Sequence, residues 1–287
     1  MPGFPIVDSH VHLYDPAVLR IGWIAGNPVL EGPHLPADLD AARGSVEVAA
    51  MVFVEVGADP GQHLEEVRFV TELAAREPRI RAIVAAAPLE RGAAIEPDLE
   101  QLAANPLVKG VRRLIQDEPD PAFCLQPRFV EGVRRLASFG LSFDLCVYHH
   151  QLSGALELVR RCPEIRFVLD HIGKPGIKAG LLEPWRGQIR ALAALPNVVC
   201  KLSGVITEAD HTAWTRDQLE PYIRHVVDCF GFERVLFGSD WPVSEQTHRY
   251  GKWVAIVDSV LAGATPSERR RVFRDNAIAV YRLSGVG

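Results

Sequence analysis

Eight short β-branched runs, each followed by a longer segment, constrain this chain more than any other feature. They are FPIVDSH, VEVAAMVFVEV, RIRAIVAAAP, PLVKGVRRLI, LSFDLCV, IRFVLDH, NVVCKLSG and ERVLFGSD. Strands apolar on both faces are those of parallel sheets covered by helices, whereas half-solvated strands alternate. The intervening segments supply the helices. In GQHLEEVRFVTELAAREP, Leu64, Val67, Val70, Leu73 and Ala74 share one face and Pro78 stops the element. PRFVEGVRRLASFG repeats the pattern with Phe129, Val130, Val133, Leu136 and Ala137, ending at Gly140. TPSERRRVF places Thr265, Pro266 and Glu268 in capping-box spacing. Eight such units predict an α/β fold: one domain over residues 1–287, a closed (β/α)8 TIM-type barrel, with an open doubly wound sheet as the next arrangement. No GxGxxG follows the first strand, which argues against a dinucleotide fold.

One unit departs from the rhythm. After the first run comes LYDPAVLRIGWIAGNPVLEGPHLPADLDAARG, a loop of some thirty residues where a short turn and a helix are expected. Long ordered loops in compact domains are usually functional. Leaving the C-terminal end of a barrel strand, it is expected to overhang the mouth, with Tyr14, Trp23 and His34 walling a pocket; Trp23 has an equal reading as the residue that packs the loop down.

Composition narrows the partners. A formal net charge of −5 offers no basic field for a polyanion, so nucleic acid and anionic membrane are not expected, and a small molecule is. The five cysteines are scattered without CxxC spacing and read as reduced core thiols. The N-terminal residues show neither a basic n-region nor an apolar h-region, and no run approaches the roughly 20 apolar residues of a membrane span, so the expected location is the cytoplasm. Barrel edges often pair, which leaves a homo-oligomer open.

Polar residues gather where the strands end. Residues two apart on a strand share a face, so Asp8, His10 and His12 are expected to project together. At the C-terminal end of a first barrel strand, two imidazoles can take one divalent cation at about 2.1 Å per nitrogen. FGSDWPV puts Asp240 at the end of the eighth strand, beside the first. A carboxylate there is a metal ligand, a general base, or both. FVLDHIGKP ends the sixth strand with Asp170 and His171; adjacent residues face opposite sides, and His171, nearer the end, is expected to be the one in the mouth. GVRRLIQDE ends the fourth with Arg112 and Arg113, of which one is expected to hold an anionic or polyhydroxylated substrate and the other to lie at the surface. Glu55 on the second strand reads as a metal ligand or an acceptor, and Lys201 and Ser203 on the seventh as site residues or buried partners. No GxSxG and no Cys beside a His suggests a covalent acyl-enzyme, so water is the expected nucleophile.

Taken together, HxH after the first strand, histidine after the sixth and aspartate after the eighth resemble the amidohydrolase superfamily. DSHVHLYDP, GVRRLIQDEPD, VLDHIGKP, KLSGVITEAD and FGSDWPV, in this order, resemble its amidohydrolase-2 branch, and within that the L-fuconolactonase and L-rhamnonolactonase-like group, over essentially the whole chain. Binuclear members of the superfamily carry a carboxylated lysine at the end of the fourth strand; here that strand ends in arginines, with Lys109 too early. Metal-dependent members commonly carry a histidine after the fifth strand; here YHHQL offers His149 and His150, followed by the Gln151-Leu152 that is similar to the lactonase-like group.

The resemblance implies hydrolysis of a sugar lactone, such as L-fucono-1,5-lactone or a related six-carbon lactone, to the open acid. Asp240 would be the base and His171 a catalytic partner. Arg112, Gln151, Trp23, Tyr14, His34 and Lys201 would bind substrate. One divalent ion, zinc foremost, would sit on His10, His12 and Asp240, with Glu55 as a further carboxylate; some relatives resemble metal-independent lactonases, so a metal-free site is the other form. Two alternatives stand beside this: a metal-dependent decarboxylase or hydratase of an unsaturated carboxylic acid, and a non-catalytic barrel that binds a sugar acid.

Overall fold

A computed structural model of the chain describes residues 1–286. Each of the eight runs supplies one strand: β1 (Ile6–Val11), β2 (Val48–Val54), β3 (Ile80–Ala86), β4 (Val108–Arg112), β5 (Ser142–Leu145), β6 (Phe167–Leu169), β7 (Val198–Leu202) and β8 (Val235–Phe237). They form one sheet in the order β1 to β8, parallel throughout. The ends of this sheet meet: Asp240 donates its backbone N–H to the His10 carbonyl at 2.9 Å, and His12 donates to Trp241 at 2.8 Å. The chain is therefore a (β/α)8 barrel whose seam closes at the residues that follow β1 and β8.

Helices cover the outside between successive strands: α1 (Pro36–Arg43), α2 (His63–Ala74), α3 (Glu96–Ala104), α4 (Pro127–Arg135), α5 (Leu152–Arg161), α6 (Trp185–Ala193), α7 (Arg216–Phe230) and α8 (Tyr250–Val260). The capping box at Thr265 starts α9 (Pro266–Arg270), which continues through a π-helical turn into α10 (Asn276–Tyr281). Apolar burial divides into layers. Val7, Val52, Val84, Val168, Val199 and Leu236 cluster with Ala277, Val280 and Tyr281 of α10. Alternate strand residues such as Ile6, Val11, Met51, Phe53 and Ile83 pack with the helices. Each large aliphatic side chain so buried is worth about 1.5–3 kcal/mol.

Two expectations need correction. Asp8 does not project with His10: three residues of β1 span two of β2 between Asp8 and Val11, and this bulge reverses the alternation. The Asp8 carboxylate instead accepts from the Tyr250 hydroxyl at 2.8 Å, from Ser239 N at 2.8 Å and from His10 N at 3.1 Å. The long loop is also not irregular to its end, since α1 forms within it behind Pro36. Its first part folds on a core of its own, with Tyr14, Leu19, Ile21, Ile24 and Leu30 buried around Val56.

Candidate active site

At the C-terminal ends of the strands lies a cavity of about 370 Å³, within the usual range for a small-molecule site. His12, Arg112, Gln116, Asp117, His171, Lys174 and Asp240 are the polar part of its lining; Trp23, Val56, Leu114 and Val243 are the large apolar part. His12 is fixed by its ring: Nδ1 bonds to the Val54 carbonyl at 2.8 Å. A carbonyl only accepts, so Nδ1 carries the proton, and Nε2 faces Asp240 Oδ1 at 3.4 Å. His10 Nε2 is 3.6 Å from the same oxygen.

The turn after β6 leaves the β region. His171, Ile172, Gly173 and Lys174 all have positive φ (53°, 51°, 70° and 42°), a conformation costly for residues with side chains. This left-handed run puts His171 in the cavity lining, as expected of the pair, and leaves Asp170 buried behind it, within ligand distance of His10. Asp170 is fully buried beneath His10, with Oδ1 3.4 Å from His10 Nδ1. His171 Nδ1 lies 3.0 Å from Ser203 Oγ. The next residue must be small: a Cβ on Gly204 (φ 54°) would stand 2.5 Å from His171 Nδ1 and 3.0 Å from Asp240 Oδ2.

Beneath these groups runs a buried ionic network. Arg112 donates from Nε to Glu55 Oε1 at 2.5 Å, from Nη2 to the Glu55 carbonyl at 2.5 Å and from Nη1 to Asp170 Oδ2 at 3.1 Å, and Nη1 stands 3.3 Å from His10 Nε2. Lys201 binds Asp144 at 2.6 Å and Asp170 at 3.0 Å, and Tyr281 of α10 donates to Asp144 at 2.7 Å. Unpaired, such buried charges would each cost several kcal/mol.

Burial keeps His10 well below the ordinary imidazole value and lowers His171 to about 4, so both rings are neutral at pH 7. Burial would raise the Asp240 carboxyl, but the proximity of His171, His12 and His10, whose protonated forms it favours, holds it well below the usual carboxylate range. An ionised carboxylate thus stands near the neutral His171 ring at the mouth, with the neutral His10 ring buried behind it.

Other expected site residues sit elsewhere. Lys201 is fully buried and consumed by Asp144 and Asp170, so it belongs to the floor. Tyr14 is buried and spends its hydroxyl on the Leu30 carbonyl, because the loop packs on it. His34 pairs backbone with Tyr14 and bonds Nδ1 to the Gly32 carbonyl, outside the cavity lining. Gln151 caps the turn before α5, accepting from Tyr148 N and donating to the Ile115 carbonyl. Glu55 gives Oε1 to Arg112 and Oε2 to Gly57 N, and it is absent from the metal-capable groups. Arg113 pairs with Glu90 and Glu118 away from the mouth. His149 and His150 join no metal-capable group among the described residues. Trp23 does line the cavity, half exposed, with Nε1 bonded to the Val56 carbonyl at 2.8 Å. Alternation along the strands missed Lys174 and Gln116; the Gly-Lys-Pro that follows His171 is the turn signal that marks the first.

His10, His12 and Asp240 present ligand atoms within 4.8 Å of one another, and so do His10, Asp170 and His171. The first set fits a divalent cation by its chemistry. The bare Nε2 of His12 faces an anionic oxygen, an arrangement stabilised by a positive ion between them, and the Val54 carbonyl orients the ring as outer partners of metal-binding histidines do. In the second set Asp170 already has two internal cations, Lys201 and Arg112.

Among curated proteins, the chain is 37% identical to an L-fucono-1,5-lactonase of Burkholderia ambifaria over 96% of this chain and 95% of that one. It is 32% identical to an L-fucono-1,5-lactonase of Burkholderia multivorans, covering 96% of both. Among solved structures, an amidohydrolase of Burkholderia multivorans with bound zinc superposes with a TM-score of 0.87 at 32% identity, over 98% of this chain and 100% of the other. The amidohydrolase family model (Amidohydro_2) matches residues 7–283, a span that runs from β1 past α10, and on that match the chain belongs to the amidohydrolase family.

Proposed function

We propose that this protein hydrolyses a sugar lactone, of which L-fucono-1,5-lactone and related six-carbon lactones are the first candidates, to the open sugar acid. The observation that carries the reading is the meeting of ionised Asp240 with the imidazoles of His12 and His171 in the lining of one lactone-sized cavity, with the buried His10 ring behind them. The curated relatives named L-fucono-1,5-lactonase support it.

Asp240 takes a proton from water as the water oxygen attacks the lactone carbonyl carbon. Collapse of the tetrahedral intermediate breaks the ring C–O bond, and the departing ring oxygen takes the proton back from Asp240. His171 presents a hydrogen-bond donor to the oxyanion when the Ser203 hydroxyl donates to Nδ1 and Nε2 carries the ring proton. Zinc, held by His10, His12 and Asp240, would supply a Lewis acid that polarises the carbonyl. The seam at His10 and Asp240 ties the base to the segment that carries the His10 and His12 imidazoles, so their relative positions are set by backbone hydrogen bonds.

Acid release followed with a pH indicator across five- and six-membered sugar lactones tests this. Rates well above background with at least one sugar lactone are expected; background rates with all of them overturn the reading.

A further inference from the structure

We propose that Lys174 is the residue that selects for hydroxylated lactones, donating from its ammonium to ring hydroxyls of the substrate, with Gln116 fixing its position. This rests on the reading of the site as a sugar lactonase.

Cations with donors to spare are scarce here. Arg112, the expected substrate clamp, is 4% exposed and directs four of its five N–H donors at Glu55, Asp170 and His10. Lys201 spends its ammonium on Asp144 and Asp170 and is fully buried. Lys174, half-buried on the cavity wall, forms no ion pair among the described residues. Its Nζ donates to Gln116 Oε1 at 2.5 Å and stands 5.1 Å from the centre of the Tyr148 ring. An ammonium has three donors, so two remain.

The lysine is also held in place. Lys174 N donates to the His171 carbonyl at 2.9 Å, and His149 N donates to the Lys174 carbonyl at 3.2 Å. The left-handed run that turns His171 toward Asp240 is the same one that presents Lys174, so catalytic and reading groups share one rigid turn. Gln116 Oε1 accepts from both Lys174 and Cys146, which fixes its amide and leaves its carbonyl no capacity for the substrate. Val56, Leu114 and Val243 also line the cavity and offer a sugar only apolar contact, and Asp117 in the same lining can only accept. Lys174 is thus the cation of this lining with two donors unspent, and it is placed to donate to ring hydroxyls. A site built to bond a substrate hydroxyl discriminates against the analogue that lacks it.

The test compares kcat/KM for the best sugar lactone with that for δ-valerolactone, which has the ring but no hydroxyl, in the wild type and in Lys174→Met and Lys174→Arg. Lys174→Met is expected to lose roughly 10- to 100-fold on the sugar lactone, the worth of hydrogen bonds from a charged donor, and at least tenfold less on δ-valerolactone. Lys174→Arg, which keeps charge and donors, should recover most of that loss. Calorimetric binding of the open sugar acid should weaken in Lys174→Met in parallel, a readout independent of turnover. Equal losses on both lactones, or none on the sugar lactone, overturn the assignment while wild-type activity leaves the lactonase reading standing. A wild type inert toward every sugar lactone removes both.

Discussion

Asp240 donates its backbone N–H to the carbonyl of His10 at 2.9 Å, so the seam that closes the barrel is also the joint that sets a carboxylate against the imidazoles. Asp8 reinforces the joint from the outer side, accepting from His10 N, Ser239 N and the Tyr250 hydroxyl. Asp8→Ala would leave three buried donors without an acceptor, and a stability loss of about 2–4 kcal/mol is expected in chemical denaturation. A loss under about 1 kcal/mol would show that the seam does not depend on this carboxylate.

The pairing of His12 Nε2 with Asp240 Oδ1 predicts metal content directly. Chain loaded with zinc and desalted should carry one ion by elemental analysis, and His12→Ala should weaken the affinity at least tenfold. Undiminished zinc in His12→Ala would place the ion elsewhere.

Stability should also fall with pH through one buried acid. Burial, reinforced by the charge of Glu55, raises Glu66 to about 8 from an ordinary value of 4.5. Folded chain then holds a proton that unfolded chain releases, so the contribution of this group is complete below about pH 4.5 and is lost as pH rises toward about 8. Glu66→Gln keeps the acceptor for Val56 N and removes the ionisation. Its melting temperature should match the wild type near pH 5 and exceed it above pH 8; parallel curves would contradict the assignment.

What the sequence disclosed follows from where simple rules hold. Each strand was legible because burial on both faces demands a continuous apolar run, and His10, His12, His171 and Asp240 were legible because barrel strands turn polar where they reach the mouth. Alternation failed where the backbone leaves the β region. The bulge in β1 turned Asp8 outward, and Asp170, one residue before the left-handed run, joined the buried network beneath the mouth. Lys201 and Gln151 were misjudged for another reason: a polar residue at a strand end can serve protein partners as easily as a ligand, and only three-dimensional neighbours decide. Tyr14 and His34 belong to a loop core that no periodicity announces.

The central claim is that Asp240 moves the proton in lactone hydrolysis, and Asp240→Asn tests it most directly, since the amide keeps the shape and cannot take a proton from water. Initial rates of acid release at saturating sugar lactone are predicted to fall by at least about 1,000-fold, with far-ultraviolet dichroism and melting behaviour still those of a folded barrel. A folded Asp240→Asn protein that retains more than a tenth of the wild-type rate would contradict the account.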